Sequence, residues 1–199
     1  MRLIGFLAKR QRGKDTICDY ITKHHNYQKK SFAEPLKKGV QCFFNFTDEQ
    51  LYTDKKEIID DKWGVSPREV FQIIGTNIVR DQFDILFNNK IKGETFWIQN
   101  FNIWYDKQYK NILVSDIRYQ NEVDYVLNKG GIVIKINREL KEEDIDNHKS
   151  EKDMEHINNY NISIDNNGTL QELYSKINWI MKNLNTIHTK KGEKLENLL

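Results

Sequence analysis

The chain has 199 residues, 38% hydrophobic and 30% charged, enough for one domain, with or without an insertion, whose core needs no disulfide or metal staple. Its 31 Lys and Arg against 29 Asp and Glu leave a net charge of +2, which argues against a DNA or RNA polymer or an acidic membrane as partner and confines basic function to a local cluster. Two cysteines exclude a disulfide scaffold and a cysteine-built zinc site, and no apolar run approaches the ~20 residues of a membrane span, so a reducing, cytoplasmic compartment is expected.

In chain order, Leu3–Ala8 reads as a buried strand and Lys14–Lys23 as the helix after it. Tyr27–Ala33 is a second, more mixed strand. Residues 36–110 break the rhythm: aromatic-rich and helical, with Ser66-Pro67 as a helix start and Gly93 as a break, they read as an inserted substrate-holding subdomain. Strand Asn111–Ile117, helix Gln120–Asn128 and strand Gly131–Asn137 follow, the helix stopping at Gly130-Gly131. Residues 139–158 are dense in charge and read as a lid. A strand at Asn161–Asp165 and a helix at Leu170–Leu184 come next, and the tail, 186–199, carries no pattern and is expected to be disordered. Strand alternating with helix predicts a three-layer α/β/α fold on a five-stranded parallel sheet.

The strongest local signal is Ala8-Lys9-Arg10-Gln11-Arg12-Gly13-Lys14-Asp15-Thr16, between the first strand and first helix. A strand running into a loop that ends in Gly-Lys and opens a helix is an anion trap: loop N–H groups point at phosphate oxygens and the lysine reaches the outer phosphates. The spacing matches the P-loop at Gly13 and Lys14 and departs from it twice. Ala8 takes the first glycine position, which requires a negative φ there, and Asp15 takes the Ser/Thr slot, with Thr16 one step later. Asp15 fits if it holds Mg²⁺, directly or through water, with Thr16 on a phosphate; otherwise it favours the first helical turn through the dipole. Arg118 lies just past the third strand. Asp116, at that strand's C-terminal end, faces the ligand crevice as a second Mg²⁺ candidate, or else caps the helix near Gln120. The five histidines show no metal-ligand spacing.

Five ordered stretches carry a family resemblance: GKDT at 13–16, FAEPLK at 32–37, QIIGTNIVRD at 72–81, SDIRYQNEVD at 115–124 and DNNGTLQELYSKI at 165–177, with HKSE at 148–151. With them the chain resembles the deoxynucleoside monophosphate kinases of phages and large viruses, P-loop kinases similar to dephospho-CoA and phosphomevalonate kinases. The resemblance implies transfer of the γ-phosphate of ATP, with Mg²⁺, to a deoxynucleoside monophosphate, in the host cytoplasm if the protein is viral. It implies Arg10 on the acceptor phosphate, with Arg68, Arg80 and Arg118 as further clamps, each alternatively a surface ion pair. Trp97 falls where an indole could stack on the acceptor base, or else is core of the inserted helices. Thr76, in a Gly75-Thr76 turn, is a hydrogen-bond donor to the acceptor, and Lys37 reaches its phosphate. Arg138 is a lid arginine on ATP, and Asn166 and Gly168 form the turn that borders adenine. The alternatives are a kinase of dephospho-CoA or phosphomevalonate and a nucleotide-binding regulatory module without turnover. A homodimer is the default assembly.

Overall fold

The computed structural model describes residues 1–139 and 154–198. They form two compact units, the first from residues 1–31 and 108–199 and the second from 32–107. Most of the lid segment, including HKSE at 148–151, lies outside the described residues.

The first unit is built on parallel strands β1 (Leu3–Leu7), β2 (Tyr27–Lys30), β3 (Asn111–Ile117), β4 (Ile132–Asn137), β5 (Ile162–Asp165) and β6 (Glu193–Lys194), in the order β2-β3-β1-β4-β5-β6. All of β1 is buried, as a central strand covered on both faces requires. On one face Ile4 and Phe6 pack with Ile17, Cys18 and Ile21 of α1 (Lys14–His24), and with Leu173, Ile177 and Ile180 of the long C-terminal helix, Leu170–Lys182. On the other, the helix Gln120–Asn128 packs against β1 and β4. Each fully buried isoleucine or leucine of these layers contributes about 1.5–3 kcal/mol relative to exposure.

The sheet has six strands, one more than the sequence predicts. The extra strand is only Glu193–Lys194, too short and too charged for any periodicity to show. It is placed by tertiary contacts: Gly192 donates to the Tyr160 carbonyl at 2.6 Å, and fully buried Leu195 anchors the chain just beyond it. The tail therefore carries a one-turn helix at Leu184–Ile187, this strand and a 3₁₀ turn at Leu195–Asn197. At the other edge, β2 stops at Lys30, three residues short of the predicted end.

The second unit is helical: α2 (Glu34–Phe44), α3 (Asp48–Tyr52), α4 (Pro67–Gln72), α5 (Asp81–Leu86) and α6 (Gly93–Tyr105). Helix α4 starts at Ser66-Pro67 as predicted, Ser66 and Glu69 forming a capping box with Pro67 in the first turn. Leu36, Val40, Phe46, Leu51 and Val70 form its core. Between α4 and α5 the chain stays helical but widens into a π-helix, Ile73–Arg80. Gly75 and Thr76 lie inside it, so the expected Gly75-Thr76 turn is not formed. Eight residues of i→i+5 pairing need tertiary support that sequence periodicity does not reveal. Among the described residues no helix is long and apolar enough to cross a membrane.

Candidate phosphate-binding site

The loop after β1 emerges at the C-terminal edge of the parallel sheet, between the ends of β3 and β4, where ligands of open α/β sheets bind. Gln11 has φ +60° and Gly13 φ +89°, with Arg12 between them at negative φ. This alternation of hand turns successive N–H groups to the same side, a concavity suited to an anion. Ala8 is buried and does not take a positive φ, as its side chain requires. Gly13 caps α1 in the left-handed region without a side-chain cap of its own, and Lys14 is the first helical residue.

The loop is braced from the far end of the sequence. Asn166, buried after β5, donates its amide to the Arg12 carbonyl at 3.0 Å, and its backbone N–H donates to Asn137 at the end of β4 at 2.8 Å. A Cβ on Gly13 would overlap the Asn166 amide, so glycine is required there for space as well as for φ. Asn166, expected in the turn that borders adenine, also braces the loop. Beside it Glu139 donates its N–H to Asn167 at 2.8 Å, which brings the exposed Arg138 to the turn carrying Asn167 and Gly168. Thr169 and Glu172 then cap the next helix reciprocally.

Asp15 and Thr16 are exposed on the first turn of α1. The Asp15 carboxylate pairs with Lys29 of β2 at 3.0 Å, and Asp19 meets the same ammonium at 3.0 Å. Burial opposes the Lys29 charge, but the Asp15 charge and hydrogen bonds to Asp19 and Asp15 outweigh it and hold its pKa above the usual lysine value. Asp116 is half-buried near the end of β3. It is not the cap of the following helix: Tyr119 holds that position, and buried Glu122 accepts from the Arg118 and Tyr119 N–H groups at 2.7 and 3.2 Å. Glu122 thereby fixes the backbone from which Arg118 extends.

The profile of the family described as Deoxynucleotide monophosphate kinase matches residues 43–177, more than half of the chain. The chain belongs to the deoxynucleotide monophosphate kinase family. A putative deoxynucleotide monophosphate kinase of Acanthamoeba polyphaga mimivirus is 38% identical over 185 residues, 89% of this chain and 94% of that protein. The deoxynucleotide monophosphate kinase of Enterobacteria phage T4 is 31% identical over 138 residues, 69% of this chain. The chain spans about half of that phage protein's length, 54%. A dephospho-CoA kinase from Campylobacter jejuni superposes with a TM-score of 0.48 at 13% identity, over 94% of this chain and 98% of that one. As a member of a nucleotide kinase family the protein is a phosphotransferase, using a nucleotide phosphate donor and a nucleotide monophosphate acceptor. The profile match begins after residue 42, so the loop at 8–16 rests on its own geometry.

Arg10 is half-buried in the loop itself, and the remaining sequence-predicted positions lie in the helical unit. Arg68 pairs with Glu57 at 3.7 Å, and Arg80 donates to the Glu94 carbonyl at 3.1 Å. The Lys37 ammonium lies 4.7 Å from the Tyr52 ring centroid. Trp97 is half-buried against the core of this unit and donates its indole N–H to the Gly75 carbonyl at 3.1 Å.

Sequence reasoning missed Lys29, Glu122 and the cluster beside the loop in which Lys9 pairs with Glu155 near half-buried Lys135. Burial, then the Lys9 charge, hold the Lys135 pKa below the usual lysine value. Glu155 sits low because Lys9 donates to it. Glu122 closes a local capping box at its own helix start, whereas the Lys29 and Lys9 pairs join different elements and no local pattern marks them.

Proposed function

We propose that the protein transfers the γ-phosphoryl group of Mg·ATP to a deoxynucleoside monophosphate, giving the diphosphate. The supporting observation is the loop from Ala8 to Thr16: two left-handed residues, Gln11 and Gly13, open a helix whose first residue is Lys14, at the ligand edge of a parallel sheet.

Phosphoryl transfer needs two anions held in line and their charge offset, with no protein nucleophile. The loop amides of Arg12, Gly13 and Lys14 and the Lys14 ammonium take the β- and γ-phosphates. Thr16 hydrogen-bonds a phosphate oxygen, and Arg138, Asn166 and Gly168 border the donor. Arg10 and Arg118 hold the acceptor phosphate, and Lys37, Arg68, Thr76 and Arg80 of the helical unit serve the acceptor nucleotide. One cation–anion contact at ~4 Å and an effective dielectric of about 20 is on the order of 4 kcal/mol before desolvation, so several convergent cations are required. Asp15 and Asp116 are oxygen donors of the kind Mg²⁺ takes alongside phosphates, and the exposed carboxylate of Asp15 fits that role, directly or through water. When bound, the ion supplies charge neutralisation at the β- and γ-oxygens. Two free cysteines and nucleotide substrates fit the host cytoplasm.

ADP release measured across the four common deoxynucleoside monophosphates, dephospho-CoA and phosphomevalonate tests this reading. Turnover with at least one deoxynucleotide and none with the other two is expected; turnover only with a non-nucleotide, or none at all, overturns it. In the same assay Arg10→Ala should raise the acceptor KM at least 10-fold and leave the ATP KM within about twofold.

A further inference from the structure

The π-helix Ile73–Arg80 is held by α6 at both ends, near its start through the Trp97 side chain. Trp97, one turn into α6, donates its indole N–H to the Gly75 carbonyl at 3.1 Å. Gly75 is buried, and a Cβ there would come within 2.6 Å of a terminal methyl of Leu36, so its peptide lies close against α2 while its carbonyl meets the indole. At the other end Gly93 lies against the Val79 and Arg80 carbonyls, Asp84 accepts from the Gly93 N–H at 2.6 Å, and Arg80 reaches the Glu94 carbonyl at 3.1 Å. A side-chain donor inserted into a helix ladder is a recognised cause of departure from α geometry. Thr76 and Arg80, both half-buried, flank this pinned stretch, and their mutual direction depends on whether the ladder runs i→i+5 or i→i+4.

We infer that Trp97 is a positioning residue for the acceptor nucleotide: its indole N–H, rather than its ring face, holds the Gly75 carbonyl and keeps Thr76 and Arg80 in the π-helical register that the acceptor meets. This rests on the assignment of Thr76 and Arg80 to the acceptor. Removing one such hydrogen bond corresponds to about 5- to 10-fold in affinity.

Two variants separate the N–H from the ring. Trp97→Phe keeps an aromatic face beside Phe96 but has no donor; Trp97→Leu has neither. Positioning by the N–H predicts that both raise the acceptor KM by about 5- to 10-fold, with kcat and the ATP KM within about twofold of the parent. Amide exchange should then accelerate in residues 73–80 of both variants ahead of α2. Direct base stacking predicts that Trp97→Phe behaves like the parent while Trp97→Leu alone fails, and that result overturns the inference. A purely structural role lowers the melting temperature and active fraction with KM unchanged, and also overturns it. Amide exchange is read without turnover: a parent enzyme inactive on every deoxynucleotide sinks the functional assignment, whereas unchanged exchange at 73–80 in Trp97→Phe sinks the pin.

Discussion

Replacing Gly13 by alanine perturbs the loop in two separable ways. Its φ of +89° costs a residue with a Cβ roughly 1–2 kcal/mol. The new methyl also overlaps the Asn166 amide, whose bond to the Arg12 carbonyl is 3.0 Å long. Losing that bond costs about 1 kcal/mol, and more if the carbonyl stays dry. A total of roughly 2–5 kcal/mol should lower the melting temperature by about 5–15 °C while the protein still folds. Calorimetric titration should show ATP affinity down by 10-fold or more, because the amides no longer converge. The double variant Gly13→Ala/Asn166→Ala isolates the clash, since the methyl then has room where the amide lay. Its stability loss should fall short of the sum of the single losses by roughly 1–2 kcal/mol. Strict additivity, or unchanged ATP affinity in Gly13→Ala, would refute the bracing of the loop by Asn166.

Lys29→Met removes the ammonium that orients the Asp15 carboxylate proposed to hold Mg²⁺, so the Mg·ATP KM should rise several-fold, as it should in Asp15→Asn, with no further rise in the double variant; no change in Lys29→Met would show that the pair is only a surface contact. Burial pushes the Cys18 thiol up to about 12, while Cys42 is exposed, so a thiol reagent at pH 8 should titrate one cysteine in the native protein and two after denaturation. Rapid native labelling of both would contradict the packing of α1. Hydrogen bonds from the Thr169 backbone and hydroxyl hold the Glu172 pKa below its usual 4.5. Its contribution is therefore full above about pH 4.5 and lost as pH falls through the lower folded value. The stability gap between the parent and Glu172→Gln should shrink between pH 5 and pH 3, and a gap that grows would reverse the sign.

Continuous apolar runs and glycine stops made the central sheet legible: Asn111–Ile117 and Gln120–Asn128 fall where the sequence puts them. The start of α4 was equally plain, because Ser66-Pro67 with Glu69 is a local cap. What escaped was set by distant contacts. Strand β6 is two charged residues recruited by the edge of β5, and the π-helix differs from an α-helix by register alone, with only Gly75 hinting at it. The phosphate loop was legible as a motif, but its supports were not. Asn166 and Arg12 stand 154 positions apart, and Lys29 meets Asp15 only because β2 ends alongside α1. Arg68 and Arg80, expected as clamps or else surface ion pairs, make contacts inside the helical unit, with Glu57 and the Glu94 carbonyl, that spacing along the chain does not show.

Isothermal titration of Mg·ATP into the folded protein and into Lys14→Ala, matched for melting temperature, tests the phosphate loop most directly. Saturable one-site binding by the parent, weakened at least 10-fold in Lys14→Ala with the two melting within about 2 °C of each other, is the result this loop geometry predicts. No heat of binding to the well-folded parent, or equal affinity in both proteins, would contradict it.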